Sequence, residues 1–191
     1  NGKSMRRIHI LLCALIATAC GAPEQEASNG RIKIVATTGM VADLARNLGG
    51  DRVEVTGLMG PGVDPHYYKA SQGDLARMTD ADIVLFNGLF LEGKMEGIFA
   101  KMARSKKVVA VAGGVDEKNL RRPPEFLGHF DPHIWFDVSL WAQTVEVAVA
   151  SLSELDPEGV EVYRGNGEQY RARLEALHQW VIAQVWEIPE Q

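Results

Sequence analysis

Hydrophobic positions between residues 31 and 111 follow two alternating rhythms. Ile32 to Ala36 is a short β-branched run, and Thr37-Thr38-Gly39 turns from it into an amphipathic stretch, Met40 to Leu48. Runs of the first kind return at Val53 to Leu58, Asp82 to Phe86 and Lys107 to Val111. Stretches of helical spacing, Ser71 to Met78 and Glu92 to Ala103, lie between them. Ser71 with Asp74 three residues on has the form of a capping box, a serine hydroxyl and a carboxylate each serving a free backbone N–H. Strands separated by single helices predict an α/β fold with a parallel sheet and right-handed crossovers. Residues 113–132 keep neither rhythm, and Pro123-Pro124 break any helix there.

Beyond Asp137 the helical rhythm strengthens. Val138, Trp141, Val145, Ala148, Leu152 and Leu155 step by three and four residues and form one apolar face, with Asp137 placed to cap it. Asp156-Pro157 opens a second helix, proline being well suited to a first turn. Its stripe runs through Val160, Tyr163, Gly167, Tyr170, Leu174, Leu177, Val181 and Val185. A helix over 156–187 would span roughly 45 Å at about 1.5 Å per residue. One small α/β lobe cannot cover that length, so the helix calls for a second lobe.

The first thirty residues stand outside this pattern. After Asn1-Gly-Lys-Ser4, Met5 has the look of a start, Arg6 and Arg7 follow, and Ile8 to Ala19 is apolar up to Ala17-Thr18-Ala19-Cys20. A basic start, a short apolar run and small residues before a cut describe an export signal, too short for a membrane span. Because the run ends on cysteine it resembles a bacterial lipoprotein signal, residues 1–20, with Cys20 as the lipidated residue. Ala17 departs from the leucine usual in that pattern. Residues 21–30 are small and polar, a flexible tether, and the metal-binding lobe is read over 31–155. Cys13 leaves with the signal, so neither an internal disulfide nor a thiolate zinc site remains. Without Lys3, Arg6 and Arg7 the 20 basic residues become 17 against 25 acidic, and the net charge moves from −5 to −8. That field favours a cation and disfavours nucleic acid.

The chemistry concentrates in two loops. Gly57-Leu-Met-Gly-Pro-Gly-Val-Asp-Pro-His-Tyr-Tyr68 holds three glycines and two prolines, so it is a shaped loop after a strand. It presents His66 from Asp64-Pro65-His66, where the proline stiffens the turn. The tripeptide returns as Asp131-Pro132-His133, within Asp131-Pro-His-Ile-Trp-Phe-Asp137. A lone loop histidine is more often structural than a ligand. Two in repeated rigid turns, both after strands on one sheet edge, point the other way, because ligands of open α/β sheets collect at the carboxyl ends of strands. Neutral imidazole suits zinc, manganese and iron, and carboxylates orient it through the other ring nitrogen. His66 and His133 are therefore candidate metal ligands. Asp64, Asp131 and Asp137 are candidates to support them, Asp137 having helix capping as its other reading.

The remaining histidines carry less. His129 has the i, i+4 spacing of a helical zinc pair with His133, but Pro132 lies between them, so it is read as a surface residue. His178 sits beside the long helix's seam and is read as exposed, and His9 leaves with the signal. Gly88-Leu-Phe-Leu-Glu-Gly-Lys94-Met95 has the spacing of a phosphate loop. Met95 replaces the hydroxyl that would hold magnesium, and Glu92 would place negative charge where phosphates must sit, so no nucleotide is expected. No His-Glu-x-x-His run, Gly-x-Ser-x-Gly elbow or reactive cysteine appears, and the chain is not read as an enzyme.

Together, Gly57 to Tyr67, Asp80-Ala-Asp-Ile-Val-Leu-Phe-Asn-Gly-Leu-Phe-Leu-Glu92 and Asp131 to Asp137 resemble the zinc/manganese-binding receptors of bacterial ABC transporters, from about Ile32 onward. The resemblance implies two α/β lobes joined by one long rigid helix, with Zn2+ or Mn2+ (Fe2+ also fitting the ligand type) clamped between them. It implies that His66 and His133 are the first lobe's ligands, and that a His or Glu and an Asp come from the second. Those two are not in this chain, which reads as the N-terminal part of such a receptor, its C-terminal lobe absent. It further implies an exported protein at the periplasm or outer face of the cytoplasmic membrane, anchored through Cys20 and delivering metal to an ABC permease. The alternative is an adhesin-like surface lipoprotein using the same fold.

Overall fold

The computed structural model describes residues 30–188. The segment read as an export signal, with His9 and Cys20, and residues 21–29 of the segment read as a tether lie outside the described residues.

Four strands form one parallel sheet: β1 (Ile32–Ala36), β2 (Val53–Gly57), β3 (Ile83–Phe86) and β4 (Lys107–Ala110), in the order β2-β1-β3-β4. The connections are α1 (Gly39–Gly49), α2 (Gln72–Asp80) and α3 (Glu96–Met102). The expected α/β layer is present. Strand side chains alternate between faces, which builds two cores. Ile32, Ile34 and Ala36 of β1, with Ile83 and Leu85 of β3, pack with α1 and the later helices. Val35 and Val84 point the other way, onto Met78 of α2 and Phe99 of α3. The ladder also fixes where the loops leave the sheet: Ala36 pairs with Gly57 on one side and Leu85 on the other. Chain direction across the sheet reverses between β1 and β3, and open α/β sheets gather ligands at such a point.

The helix ends follow the sequence. Thr38 accepts from Val41 N at the start of α1. Ser71 and Asp74 form the full capping box of α2, with Ser71 Oγ accepting from Asp74 N and the Asp74 carboxylate accepting from Ser71 N. The expected start of α3 fails. No helix opens at Glu92; residues 88–95 form a turn, and α3 begins only at Glu96.

Two long helices follow, α4 (Val138–Leu155) and α5 (Val160–Trp186), the second preceded by a 3₁₀ turn at Pro157–Gly159 rather than starting at Asp156. The 27 residues of α5 extend about 40 Å at 1.5 Å per residue. Tyr163, Gly167, Tyr170 and Leu174 are buried, whereas Leu177, Trp180, Val185 and Trp186 are exposed. Gly167 permits the crossing with α4, since a Cβ there would lie 2.9 Å from Val149 Cγ2. His178 is half-buried on α5 rather than exposed.

The corner between α4 and α5 is locked to the sheet by one carboxylate. Asp156 Oδ2 accepts from Arg52 Nε at 2.7 Å and from the Tyr163 hydroxyl at 2.6 Å. Hydrogen bonds from Arg52, then from Tyr163, hold the Asp156 carboxyl down at about 2. A depressed carboxyl stabilises the fold above its unfolded value, and that contribution is lost as pH falls through the folded one. Asp156→Asn is therefore expected to flatten the loss of stability between about pH 4 and pH 2, read from urea melts at several pH values. An unchanged acid limb would show that the corner contributes nothing to acid stability.

Candidate metal centre

The two histidine loops meet over the carboxyl edge of the sheet. The first leaves β2 with its start tied to β1: Leu58 N donates to Ala36 O at 2.9 Å and Met59 N to Thr37 O at 3.0 Å. Its far end is set by the Asp-Pro-His turn, in which Asp64 Oδ1 accepts from His66 N at 2.8 Å. Tyr68 then donates to the buried Asp74 carboxylate at 2.8 Å, joining the loop to the cap of α2. The second turn repeats the first, Asp131 Oδ1 accepting from His133 N at 3.0 Å. One local rule thus aims both rings, a carboxylate closing over the backbone two residues on.

His66 Nε2 and His133 Nε2 face each other at 3.1 Å, with both rings half-buried. Asp131 Oδ1 also lies 2.8 Å from His133 Nδ1. Burial acts to raise the Asp131 carboxyl, but the bonds from the His133 backbone and ring, with the nearby Arg121, bring it below the usual value. A carboxylate can only accept, so Nδ1 of His133 carries the proton and its Nε2 lone pair faces His66. An open cleft of about 370 Å³ lies beside His133, lined in part by Arg121, Asp131, Phe136 and Asp137.

The three aspartates named from the sequence hold different posts. Asp131 touches the His133 ring, Asp64 the His66 backbone, and Asp137 the start of α4, accepting from Ser139 N at 3.0 Å and Ser139 Oγ at 2.6 Å. His129 is exposed and stacks flat on Phe90, ring centroids 4.7 Å apart. Among the described residues, no group of three or more His, Cys, Asp or Glu side chains comes together in a metal-holding arrangement.

Behind the histidines sits a residue that the sequence pattern did not place at the site. Glu92 is fully buried. Its Oε1 accepts from Thr37 Oγ1 at 2.6 Å and Asn87 N at 2.8 Å, and its Oε2 from Gly88 N at 3.2 Å. Burial raises its carboxyl above the ordinary value against the opposing pull of the Thr37, Asn87 and Gly88 bonds. The available signal was an acidic residue closely following Asn-Gly, where a chain reversal can turn it back under the loop.

Residues 34–191 match the family described as "ZnuA: Zinc-uptake complex component A periplasmic". The chain is 40% identical over 182 residues to the manganese-binding lipoprotein MntA of Bacillus subtilis (strain 168), covering 95% of this chain and 59% of that protein. It is 38% identical to the zinc-binding protein TroA of Treponema pallidum over 163 residues, 85% of this chain and 52% of that one. A solved structure of TroA superimposes with a TM-score of 0.80 over 84% of this chain and 57% of that chain. Fe(III)-bound YtgA of Chlamydia trachomatis is 29% identical with a TM-score of 0.74, over 83% of this chain and 55% of that one. The chain therefore spans between half and three-fifths of the length of these relatives.

Proposed function

The chain belongs to the ZnuA family of periplasmic zinc-uptake components, and on that premise we propose that it captures a divalent transition metal outside the cytoplasmic membrane and passes it to an ABC permease. His66 and His133 are the ligands it contributes, and Asp131 orients His133. The observation that carries this reading is the Nε2–Nε2 approach of 3.1 Å. Two nitrogens bound tetrahedrally to zinc at about 2.0–2.1 Å lie roughly 3.3 Å apart, so the rings need part by only tenths of an ångström. With the His66 proton carried on its Nδ1 instead, both Nε2 lone pairs would face one ion. Raw affinity of a nitrogen site favours zinc over manganese, and geometry and the remaining ligands set the choice. The names of the relatives refer to both metals and to iron. Metal binding recurs in those names, which favours the receptor over the adhesin.

Cys20 anchors the protein through lipid, as the name of the Bacillus relative describes for that protein. No described helix is long and apolar enough to cross a membrane. A single acyl chain holds only marginally, so the several chains of a bacterial lipoprotein are required. Cys20→Ser is expected to move the protein from the membrane to the soluble fraction, and retention on the membrane would reject the anchor. The transport reading is tested by metal accumulation in cells lacking the gene, complemented with the wild-type protein or with His66→Ala or His133→Ala. Restoration by the wild type alone is expected. Full restoration by either variant would overturn the ligand assignment, and wild-type accumulation without the gene would overturn the transport role.

A further inference from the structure

One buried ionisable group connects both histidine loops. We propose that Glu92 is a positioning residue that sets the distance between His66 and His133 before metal arrives. The inference rests on the reading of those two histidines as ligands.

Two arms leave its carboxylate. One runs from Oε1 to the Thr37 hydroxyl at the end of β1. Thr37 O receives Met59 N, and from Met59 the chain runs to His66. The other arm runs to the end of β3, where Asn87 N and Gly88 N donate to the two carboxylate oxygens. Asn87 Nδ2 then donates to Pro132 O at 3.0 Å, one residue before His133, and to Gly88 O at 3.0 Å. The Asn87 amide cannot be reversed, because its oxygen would then face two carbonyl oxygens. Thr37, Asn87 and Glu92 are all completely buried, and Pro132 is buried as well, so water does not compete for these bonds.

The backbone that delivers Glu92 is strained to do so. Leu89 and Phe90 hold φ of 54° and 68°, after Gly88 at 88°. Left-handed backbone is unfavourable for bulky side chains and persists where the surroundings over-determine it. At Gly88 a side chain is also excluded by space, since a Cβ would lie 2.9 Å from Ala110 Cβ. Three consecutive left-handed residues turn the chain back so that Glu92 lies between the ends of β1 and β3, where the sheet changes direction. A carboxylate suits the post because it accepts from several donors at once; glutamine keeps the volume but turns one acceptor into a donor.

The test uses the full-length protein with Co2+ and Zn2+ as probes. Glu92→Gln is expected to weaken both by about tenfold, within the range for loss of an orienting partner, with little change in melting temperature. In the metal-free protein, imidazole 15N spectra should pass from one His66–His133 arrangement to several. In a His133→Ala background, Glu92→Gln should add almost nothing, since one half of the spaced pair is gone. Wild-type affinity together with a wild-type imidazole spectrum overturns the proposal. So does an affinity loss that persists in full without His133, which would place the effect elsewhere in the fold. Wild-type affinity in His66→Ala or His133→Ala would sink the ligand reading instead, and the metal-free spectra would still decide Glu92. Should Glu92→Gln not fold, Thr37→Val and Asn87→Ala each cut one arm. Several-fold weaker binding is expected from each, and unchanged affinity in both overturns the inference.

Discussion

His133→Ala is expected to weaken Zn2+ and Mn2+ binding by about 100-fold or more, and His66→Ala by a similar factor; each factor of ten corresponds to about 1.4 kcal/mol. Loss of an orienting partner alone costs about 10–100-fold, and these variants remove a proposed ligand itself. Asp131→Asn should fall between them and the wild type, because it keeps the turn's shape but no longer presents a carboxylate to His133 Nδ1. Since an imidazolium cannot bind metal, affinity should weaken as pH falls. Chelator-competition titration of the full-length protein measures all of this. A His133→Ala protein within a factor of three of the wild type would be incompatible with His133 as a ligand.

Tyr163→Ala is expected to destabilise the fold by about 3–5 kcal/mol, the range for truncating a large buried aromatic side chain. The ring is completely buried on the face of α5 that meets α4 and α1, and its hydroxyl closes the Asp156 corner at 2.6 Å. Tyr163→Phe keeps the ring and removes one donor, so about 1 kcal/mol is expected. It should also let the Asp156 carboxyl rise from about 2, while Arg52 still donates to it. Equilibrium urea unfolding of the two variants separates packing from hydrogen bonding. Equal losses in both would mean that the corner, and not the ring, carries the stability.

Much of the frame was legible because its signals are local. Ser71 and Asp74 sit at the spacing a capping box requires, and they form one. Asp137 followed by a three-and-four apolar step predicted the start of α4, and its carboxylate is used there. The stripe of α5 was visible through Tyr163, Gly167, Tyr170 and Leu174, all buried. The same stripe continues in sequence through Leu177 and Val185, which are exposed. Periodicity records which face is apolar, not how far along the helix a neighbour extends.

Glu92 marks the opposite limit. With Glu96 it lies in a stretch of helical composition, and the pattern places the helix start at Glu92. The left-handed backbone at Leu89 and Phe90 overrides that preference because Glu92 gains donors from Thr37, Asn87 and Gly88, and residue 37 is remote from it in the chain.

The sequence by itself determined the elements, the parallel α/β class and the two rigid Asp-Pro-His turns, since short-range sterics, hydrogen-bonding side chains and residue periodicity act over a few positions. The tertiary structure decided that the two turns meet, with 3.1 Å between His66 Nε2 and His133 Nε2. It also divided three similar aspartates among a ring, a backbone amide and a helix end. Those outcomes depend on strand order and on buried bonds such as Asn87 to Pro132, 45 residues apart. Such bonds form only once the sheet has brought the ends of β1, β2 and β3 to one edge.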